Sequence, residues 1–263
     1  MRAALLAWWI VPSFLLAQEK PAMKDLFESA VHQGSKGKLP YRLLRPATVE
    51  EKKTYPLVVF LHGAGERGDD NRAQLTHGAV DFTKKEIREK YPCYLLVPQC
   101  PKMRRWAEVD WSSSSHDMPK DASEPATLLL ALMDRLCADL PIDRSRIYLT
   151  GLSMGGYGTW DLLCRHPERF AAGLPICGGG DEKHAGLLVN IPIWAFHGDK
   201  DFAVKVDRSR NMIEAIRKAG GRPIYTEYAG VGHDSWTQTY ANRLVMDWLF
   251  AQKKSKPAEG AGR

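Results

Sequence analysis

Residues 146–160 read RIYLTGLSMGGYGTW, and this stretch decides how the rest of the chain is interpreted. An apolar run ending at residue 150 leads into Gly151-Leu152-Ser153-Met154-Gly155, the pattern G-x-S-x-G, and a helical pattern follows over 154–165. This pattern between a strand and a helix is typical of a nucleophile elbow, a sharp turn that exposes a reactive serine. The two glycines are required because larger residues would collide with the neighbouring strand and helix. We therefore predict that Ser153 is a catalytic nucleophile.

The alternation of strand and helix seen here runs through the whole chain. Apolar, strand-like runs lie at 39–45, 56–61, 94–98, 146–150, 170–177, 191–197 and 223–228, and helical patterns at 71–90, 124–139, 154–165, 204–218 and 236–251. Continuous apolar strands separated by helices indicate a mostly parallel sheet that is covered on both faces. The predicted fold class is therefore α/β, with a doubly wound, mostly parallel sheet and helices on both of its faces.

No linker rich in Pro, Gly or Ser divides the chain, so we predict a single catalytic domain over 24–251 and a polar, disordered tail over 252–263. The 263 residues carry 37 Lys+Arg and 31 Asp+Glu, a formal net charge of +6, and 44% are apolar. This composition excludes a wholly disordered chain, a collagen and a disulfide-stapled miniprotein. The basic residues are scattered rather than clustered beside aromatic residues, so we expect no nucleic-acid partner.

The N-terminus, MRAALLAWWIVPSFLLA (1–17), has one charge followed by an apolar run, and polar residues from Gln18 onward end that run abruptly. The run has about 15 residues, whereas a membrane-spanning helix needs roughly 20. A charged start, a short apolar run and a small residue before a polar stretch are typical of a secretory signal peptide. We expect residues 1–17 to be removed and the mature protein to be secreted or periplasmic, without a stable membrane anchor. An uncleaved anchor is the alternative.

The five cysteines are odd in number, so at least one is either free or paired between chains. They form no C-x-x-C pair, and most of them lie in apolar strand-like or helix-like runs. We therefore expect buried core thiols.

A serine hydroxyl is a poor nucleophile unless a base removes its proton and a third group orients the base. In folds with a nucleophile elbow, the acid and then the histidine follow the serine along the chain. The segment AFHGDKD (195–201) ends one strand-like run, and GVGHDSW (230–236) follows the last one. We predict His233 as the base, because it lies in a glycine-rich loop at the carboxyl end of a strand. Asp201 is predicted as the acid, and Asp199 in the same loop is the alternative.

An acyl-transfer reaction also needs two N–H donors for the oxyanion that develops on the substrate. The backbone N–H of Met154, which follows the nucleophile, is the first. The second is expected from the loop HGAGERGDDN (62–71), where we favour Ala64 over its neighbour Gly63. His62 is expected to brace this loop through hydrogen bonds rather than to act as a second base. The sequence contains neither H-x-H-x-D-H nor H-E-x-x-H, so no metal ion and no cofactor are expected.

These segments together resemble the α/β-hydrolase superfamily. They are similar in particular to secreted bacterial esterases related to feruloyl esterases and polyhydroxybutyrate depolymerases, a branch that includes predicted peptidases of prolyl-oligopeptidase type. The resemblance spans about 36–250 and rests on YPLVVFLHGAGERGDDN, VPQC, IDRSRIYLTGLSMGGYGTW, HPERFAAGLPICGG, IPIWAFHGDKDFAV and YAGVGHDSWTQTY. It implies a serine hydrolase of carboxylic esters in which Asp201, followed by Val204, is the acid of the triad. A serine peptidase is the alternative.

The shape of the substrate site can also be predicted. The connection from Gly178 to Asn190 has only 13 residues, too few for a helical lid, so we expect an open site. The irregular stretch 99–123 follows a strand and should overhang the edge of the sheet where ligands bind. Trp111 in this stretch and Trp236 are candidates to stack on an aromatic or sugar group, with core packing as the alternative. Small-molecule or polysaccharide-linked esters are the expected substrates, and no oligomeric state is assigned.

Overall fold

The computed structural model describes residues 23–254. Within these residues one eight-stranded sheet has the order β1-β2-β4-β3-β5-β6-β7-β8. Its strands are β1 (Phe27–Gly34), β2 (Gly37–Leu44), β3 (Tyr55–Leu61), β4 (Tyr94–Pro98), β5 (Ile142–Leu152), β6 (Ala172–Ile176), β7 (Trp194–Gly198) and β8 (Ile224–Tyr228). Strand β2 is antiparallel to both β1 and β4, and all the other pairings are parallel. The mostly parallel sheet predicted from the sequence is confirmed.

Helices cover both faces of the sheet. The α-helices of the described residues are α1 (Lys85–Lys90), α2 (Glu124–Asp139), α3 (Met154–Arg165), α4 (Asp207–Lys218), α5 (Trp236–Ala241) and α6 (Arg243–Ala251). Side chains of α2, α3 and α4 belong to one apolar cluster, and those of α1, α5 and α6 belong to a second. Successive residues of β3 alternate between the clusters: Leu57 and Val59 join the first, and Val58 and Phe60 join the second. The clusters therefore lie on opposite faces, and β3 is apolar throughout because both of its faces are buried.

The bounds of α2 and α3 agree with the sequence patterns. The hydroxyl of Ser123 accepts a hydrogen bond from the Ala126 N–H, and Pro125 occupies the first turn of α2. Both features are typical of a helix start, because proline has no N–H to leave unpaired there. The start of α3 is determined by the sharp turn at Ser153, which ends β5.

Two predicted helices are interrupted in the structure. The pattern over 71–90 forms short 3-10 helices at Ala73–Leu75 and Ala79–Thr83 before α1 begins. Between them Gly78 adopts a φ of 69°, which breaks the helix. The pattern over 236–251 is divided into α5 and α6 at Asn242, whose side chain accepts the Leu244 N–H and caps α6.

Strand β1 was not among the predicted strands. Its sequence FESAVHQG contains few apolar residues, and most of its side chains are exposed or half-buried because it lies at the edge of the sheet. It forms a hairpin with β2, in which Gly34 pairs with Gly37. The edge position explains why a search for buried apolar runs does not find this strand.

The predicted tail begins as an ordered segment. The Lys254 N–H donates to the Ser145 carbonyl at 2.9 Å, and its Nζ donates to the Glu168 carbonyl at 2.8 Å, so residues 252–254 lie against the domain rather than in a disordered tail. The predicted signal peptide at 1–17 and residues 255–263 of the predicted tail lie outside the described residues. Among the helices of residues 23–254, none combines the length and apolar character needed to cross a membrane. All five cysteines are free thiols, four of them buried and Cys137 half-buried.

Candidate active site

The turn at Ser153 has the geometry that the G-x-S-x-G pattern predicts. Ser153 follows the last residue of β5 and precedes the first residue of α3, with a φ of 54° that residues other than glycine rarely adopt. A Cβ on Gly155 would collide with the Leu61 carbonyl of β3, and one on Gly151 would collide with the Gly155 carbonyl. The two glycines therefore allow α3 to start directly against the sheet, with the serine hydroxyl at the carboxyl edge.

The predicted acid and base reach Ser153 because their strands end at the same edge. Ser153 follows β5, Asp201 lies on the loop after β7, and His233 lies on the loop after β8. These strands are parallel and belong to one half of the sheet, so the loops after them meet. His233 Nε2 lies 2.9 Å from Ser153 Oγ, and His233 Nδ1 lies 2.7 Å from Asp201 Oδ2. The three predicted residues therefore form one continuous hydrogen-bond chain.

The electrostatics of Asp201 favour an ionised carboxylate. Its side chain is fully buried, which by itself raises the pKa of the carboxyl group. Hydrogen bonds from His197, from His233 and from the Val204 N–H outweigh burial, and the net pKa of Asp201 lies well below its usual range. An ionised Asp201 accepts the hydrogen on His233 Nδ1, which leaves Nε2 as the acceptor for the serine hydroxyl.

The alternative acid, Asp199, bonds other partners than His233. Its Oδ1 accepts the Gly230 N–H at 2.7 Å, and its other oxygen lies 3.9 Å from Lys200 Nζ. Asp199 thus holds the loop after β7 against the loop after β8. Of the two carboxylates, only Asp201 contacts His233.

The predicted oxyanion loop lies beside the nucleophile. A Cβ built on Gly63 would be 3.7 Å from the Ser153 Cβ, and Ala64 begins the short 3-10 helix that follows Gly63. The first turn of α3, which starts at Met154, has no capping hydrogen bond from the side chain of its N-cap residue. The first N–H groups of a helix have no partner within the helix, so those of α3 are available to a ligand.

His62 braces this loop, as predicted. Its Nδ1 donates to the Gly63 carbonyl at 2.6 Å, and its Nε2 accepts the Cys100 N–H at 2.9 Å. Trp106 Nε1 donates to the His62 carbonyl at 3.1 Å, which adds a further constraint. Burial lowers the pKa of His62 to about 4, so the ring is neutral at physiological pH. Both ring nitrogens are engaged away from Ser153, and His62 is not placed to act as a base.

The two predicted aromatic residues have different neighbours. Trp236 contacts His233 edge to face, with 5.2 Å between ring centroids, and its other neighbour is His77 at 5.5 Å. Trp111 is half-buried, and the Arg105 guanidinium lies 4.4 Å from its ring centroid. It packs on Tyr157, which is one helical turn after Ser153. Trp236 therefore contacts His233 directly, whereas Trp111 is linked to the elbow only through Tyr157, and both also pack against protein side chains.

The connection from 178 to 190 forms no cap in the described structure. It contains the 3-10 helix Glu182–Leu188, whose Ala185 and Leu188 are buried in the apolar cluster that includes α3 and α4. This segment therefore packs into the core of the described structure, and the open site stays a prediction.

The sequence does not indicate two further residues that lie beside Ser153, Asp201 and His233. Cys177 Sγ lies 3.3 Å from the Ser153 N–H, and with Asp201 and His233 it forms a group whose ligand atoms all lie within 4.8 Å of one another. Burial raises the pKa of the Cys177 thiol, whereas metal binding requires a thiolate, and the other two residues are already paired with each other. The chemistry of this group fits hydrogen bonding better than metal binding. The second residue, His197, contacts Asp201.

Comparison with known proteins agrees with this architecture. The phospholipase/carboxylesterase family model matches residues 46–242. The crystal structure of a thermostable esterase superposes with a TM-score of 0.83 and 39% sequence identity, covering 88% of this chain and 64% of that one. Poly(3-hydroxyalkanoate) depolymerase C of Paucimonas lemoignei is 29% identical over 130 residues, which is 47% of this chain and 28% of the depolymerase. The probable feruloyl esterase C of Aspergillus niger is 22% identical over 200 residues, 76% of this chain and 68% of that protein. This chain therefore spans less than two thirds of the solved esterase and of the depolymerase.

Proposed function

The chain belongs to the phospholipase/carboxylesterase family, and from that premise we propose that it is a serine carboxylic-ester hydrolase whose catalytic triad is Ser153, His233 and Asp201. The observation that carries the proposal is the hydrogen-bond chain of 2.9 Å from Ser153 Oγ to His233 Nε2 and of 2.7 Å from His233 Nδ1 to Asp201 Oδ2. Nucleophile, base and orienting acid are thus in the order that acyl transfer requires.

The reaction follows from these contacts. His233 Nε2 accepts the proton of Ser153 as Oγ attacks the ester carbonyl, and Asp201 stabilises the imidazolium that forms. The backbone N–H groups of Met154 and Ala64 stabilise the oxyanion of the tetrahedral intermediate. His233 then protonates the departing alcohol. A water molecule, activated by the same imidazole, releases the acid from the acyl-enzyme.

For the substrate we propose short-chain, aryl or carbohydrate-linked esters. An uncapped site accepts a bulky alcohol or a chain end without a conformational opening. Trp111 and Trp236 offer flat apolar surfaces on which an aromatic ring or a sugar could stack. The names of two relatives, a feruloyl esterase and a polyhydroxyalkanoate depolymerase, refer to an aryl ester and to a polyester respectively, and both suit an open cleft.

We also propose that the protein is exported to the periplasm or medium and that residues 1–17 are removed. The support is the sequence of this segment, which has a single charge at Arg2 before an apolar run of about 15 residues. Sequencing the N-terminus of protein recovered from these fractions should find Gln18 or a close neighbour first. An intact Met1 in a membrane fraction would contradict export with cleavage.

The triad is tested by replacing Ser153 with alanine. Loss of the nucleophile should reduce kcat on p-nitrophenyl acetate by several orders of magnitude, about 10⁶ where it has been measured in a serine protease. The matched control is Ser112→Ala, an exposed serine that bonds only to Asp110 and should leave kcat unchanged. A fluorophosphonate should label Ser153 in the wild type. Label found on the serines at 112–115 instead would overturn the assignment.

A matched ester and amide with one acyl group separate esterase from peptidase activity. The proposal expects the ester to be cleaved far faster than the amide. Amide cleavage at a comparable rate would favour a serine peptidase that uses the same triad.

A further inference from the structure

A second histidine, His197, lies against Asp201. Its Nε2 is 3.1 Å from Asp201 Oδ2, the same oxygen that faces His233 Nδ1, and the side chains of His197 and Asp201 are both completely buried. The carbonyl oxygen of Val204 also lies 3.0 Å from His197 Nε2. Both neighbours of this nitrogen are hydrogen-bond acceptors. His197 Nε2 must therefore carry a hydrogen. This one hydrogen bonds the Val204 carbonyl and lies within 3.1 Å of the carboxylate oxygen, so the two acceptors share it.

The opposite edge of the His197 ring is held as firmly. Its Nδ1 lies 2.8 Å from Ser209 Oγ on α4, and that hydroxyl lies 3.0 Å from the Gly178 carbonyl after β6. The ring itself is carried by β7. Three elements therefore determine the orientation of His197 and hold Nε2 between the Val204 carbonyl and the carboxylate.

We propose that His197 is a positioning residue of the reaction. It shares its Nε2–H between the Val204 carbonyl and Asp201 Oδ2, and so holds the carboxylate that orients His233 and weakens its pull on the His233 proton. The inference rests on the proposed triad and extends it by a residue that touches neither Ser153 nor the substrate. Asp201 Oδ1 already accepts the Ala203 and Val204 N–H groups at 2.8 and 2.9 Å. With His197 in place, Oδ2 is shared by two imidazole donors, and its pull on the His233 proton is weaker than that of an unshared oxygen.

Besides His197 and His233, several other ionisable groups lie on the elements that pack around Asp201. Burial raises the pKa of both Tyr157 on α3 and Cys177 after β6, so both are neutral at physiological pH. Glu227, which pairs with His197 across β7 and β8, is bonded to Arg210 at 2.6 Å.

The remaining charged groups of the adjoining segments are Asp199, Lys200, Lys205, Asp207, Arg208 and Asp234. Of these, Asp199 bonds the Gly230 N–H, Asp207 bonds Arg210, Arg208 bonds the Gly180 carbonyl and Asp234 caps Thr237.

The inference is tested by two amides of different length. In His197→Gln the side-chain amide nitrogen can reach the position of Nε2 and still donate to Asp201. In His197→Asn the shorter amide cannot reach it. For each variant we would measure kcat and KM on p-nitrophenyl acetate, the pH dependence of kcat/KM, and the melting temperature.

We expect His197→Asn to lower kcat about tenfold at pH 7 with KM unchanged, the size of effect that a lost hydrogen bond to a charged group can have. The ascending limb of its profile of kcat/KM against pH should move to higher pH by about one unit. The limb moves to higher pH because Asp201 without His197 accepts more strongly from His233 and stabilises the imidazolium. His233 then loses its proton, and becomes free to act as the base, only at a higher pH. His197→Gln should keep most of kcat and a limb close to that of the wild type.

Ser209→Ala is the matched control, because it removes the partner of Nδ1 while Nε2 still faces Asp201. It should lower the melting temperature and leave the pH limb in place. If both His197 variants lose stability while their limbs match the wild type, His197 only fills space and the inference is overturned.

Nitrogen-15 NMR of the wild type reads the tautomer of His197 directly, whether or not the variants fold. A hydrogen on Nε2 is expected, and an Nε2 without hydrogen would overturn the inference. The Ser153→Ala result separates the two proposals: retained activity in that variant would overturn the triad itself, whereas lost activity together with an unmoved His197→Asn limb would overturn only the role of His197.

Discussion

Asp199 and Asp201 lie two residues apart on one loop, but they have different contacts, and we expect different effects when each is replaced. We expect Asp201→Asn to lower kcat by about 10⁴, the effect that the same change has in a serine protease, because an amide beside Nδ1 favours the wrong tautomer of His233. Asp199→Asn should cost less than tenfold, since Asp199 bonds only the Gly230 N–H and Lys200. Kinetics on p-nitrophenyl acetate compare the two variants. A larger loss in Asp199→Asn would show that the other carboxylate orients the base.

Two neutral histidines make the folded state sensitive to mild acid. Burial lowers the pKa of both His62 and His116 to about 4, whereas an unfolded histidine takes up its proton near 6.5. Between these values the unfolded chain binds more protons, so the free energy of unfolding falls as the pH falls from 6.5 to 4. His62 alone could account for about 3 kcal/mol of that loss.

Urea unfolding at several pH values measures this dependence. His62→Gln, which cannot take up a proton, should be less stable than the wild type at pH 7 and should lose less stability than the wild type on going to pH 4.5. Equal losses in the two proteins would show that His62 does not titrate in this interval.

At the scale of elements, the elbow depends on the close approach of α3 to β3. We expect Gly155→Ala to destabilise the fold by about 3 kcal/mol, because the added methyl would meet the backbone carbonyl of Leu61, which cannot rotate away. Gly186→Ala is the matched control, since no atom lies within 4 Å of a Cβ there, and its stability should stay within about 0.5 kcal/mol of the wild type. The midpoints of urea unfolding report both changes. Equal midpoints for the two variants would show that the elbow tolerates a side chain.

The same scale shows which elements a sequence can predict. Strand β3 is recognisable because all of its residues are buried. A strand that is covered on both faces has a continuous apolar run in place of alternating polar and apolar residues. Strand β1 is not, since its edge position lets polar residues alternate with apolar ones. The pattern over 71–90 has helical spacing, but Gly78 fits against Tyr240 in a conformation that ends a helix, and this contact is not visible in the local sequence.

The site likewise has residues that the local sequence indicates and residues that only the packing of the fold brings into place. Ser153 is identified by a local pattern, and the loops that carry Asp201 and His233 follow from chain order and the parallel sheet. The contacts of His197 are different in kind. They depend on how β7, α4 and the Val204 carbonyl pack together around a buried ring, and a histidine at the end of a buried strand has no local feature that indicates a carboxylate neighbour.

At the scale of the whole molecule, the open edge of the sheet should determine which esters are turned over. If the proposed site is uncapped, protein contacts should reach only the first few carbons of the acyl group, and a long chain should gain little because it stays partly in water. We expect p-nitrophenyl acetate and butyrate to be hydrolysed faster than the palmitate, and methyl ferulate to be accepted. No interfacial activation is expected either, because the 178–190 connection of the described residues packs into the apolar core and is not free for an oil surface to displace. A sharp rise in rate above the solubility limit of a long-chain ester would contradict the open site.

Replacing Trp111 tests whether an aromatic group of the substrate adds to binding beyond what a small acyl group contributes. If its ring stacks on an aryl substrate for about 1 kcal/mol, Trp111→Ala should raise KM about fivefold for methyl ferulate and much less for methyl acetate. Because Trp111 also packs on Tyr157 and Arg105, the variant could disturb the site in general, and that disturbance would raise KM for both esters alike. The ratio of the two KM changes therefore isolates stacking. An equal rise for both would assign Trp111 to packing and leave Trp236, beside His233, as the remaining aromatic surface for the substrate.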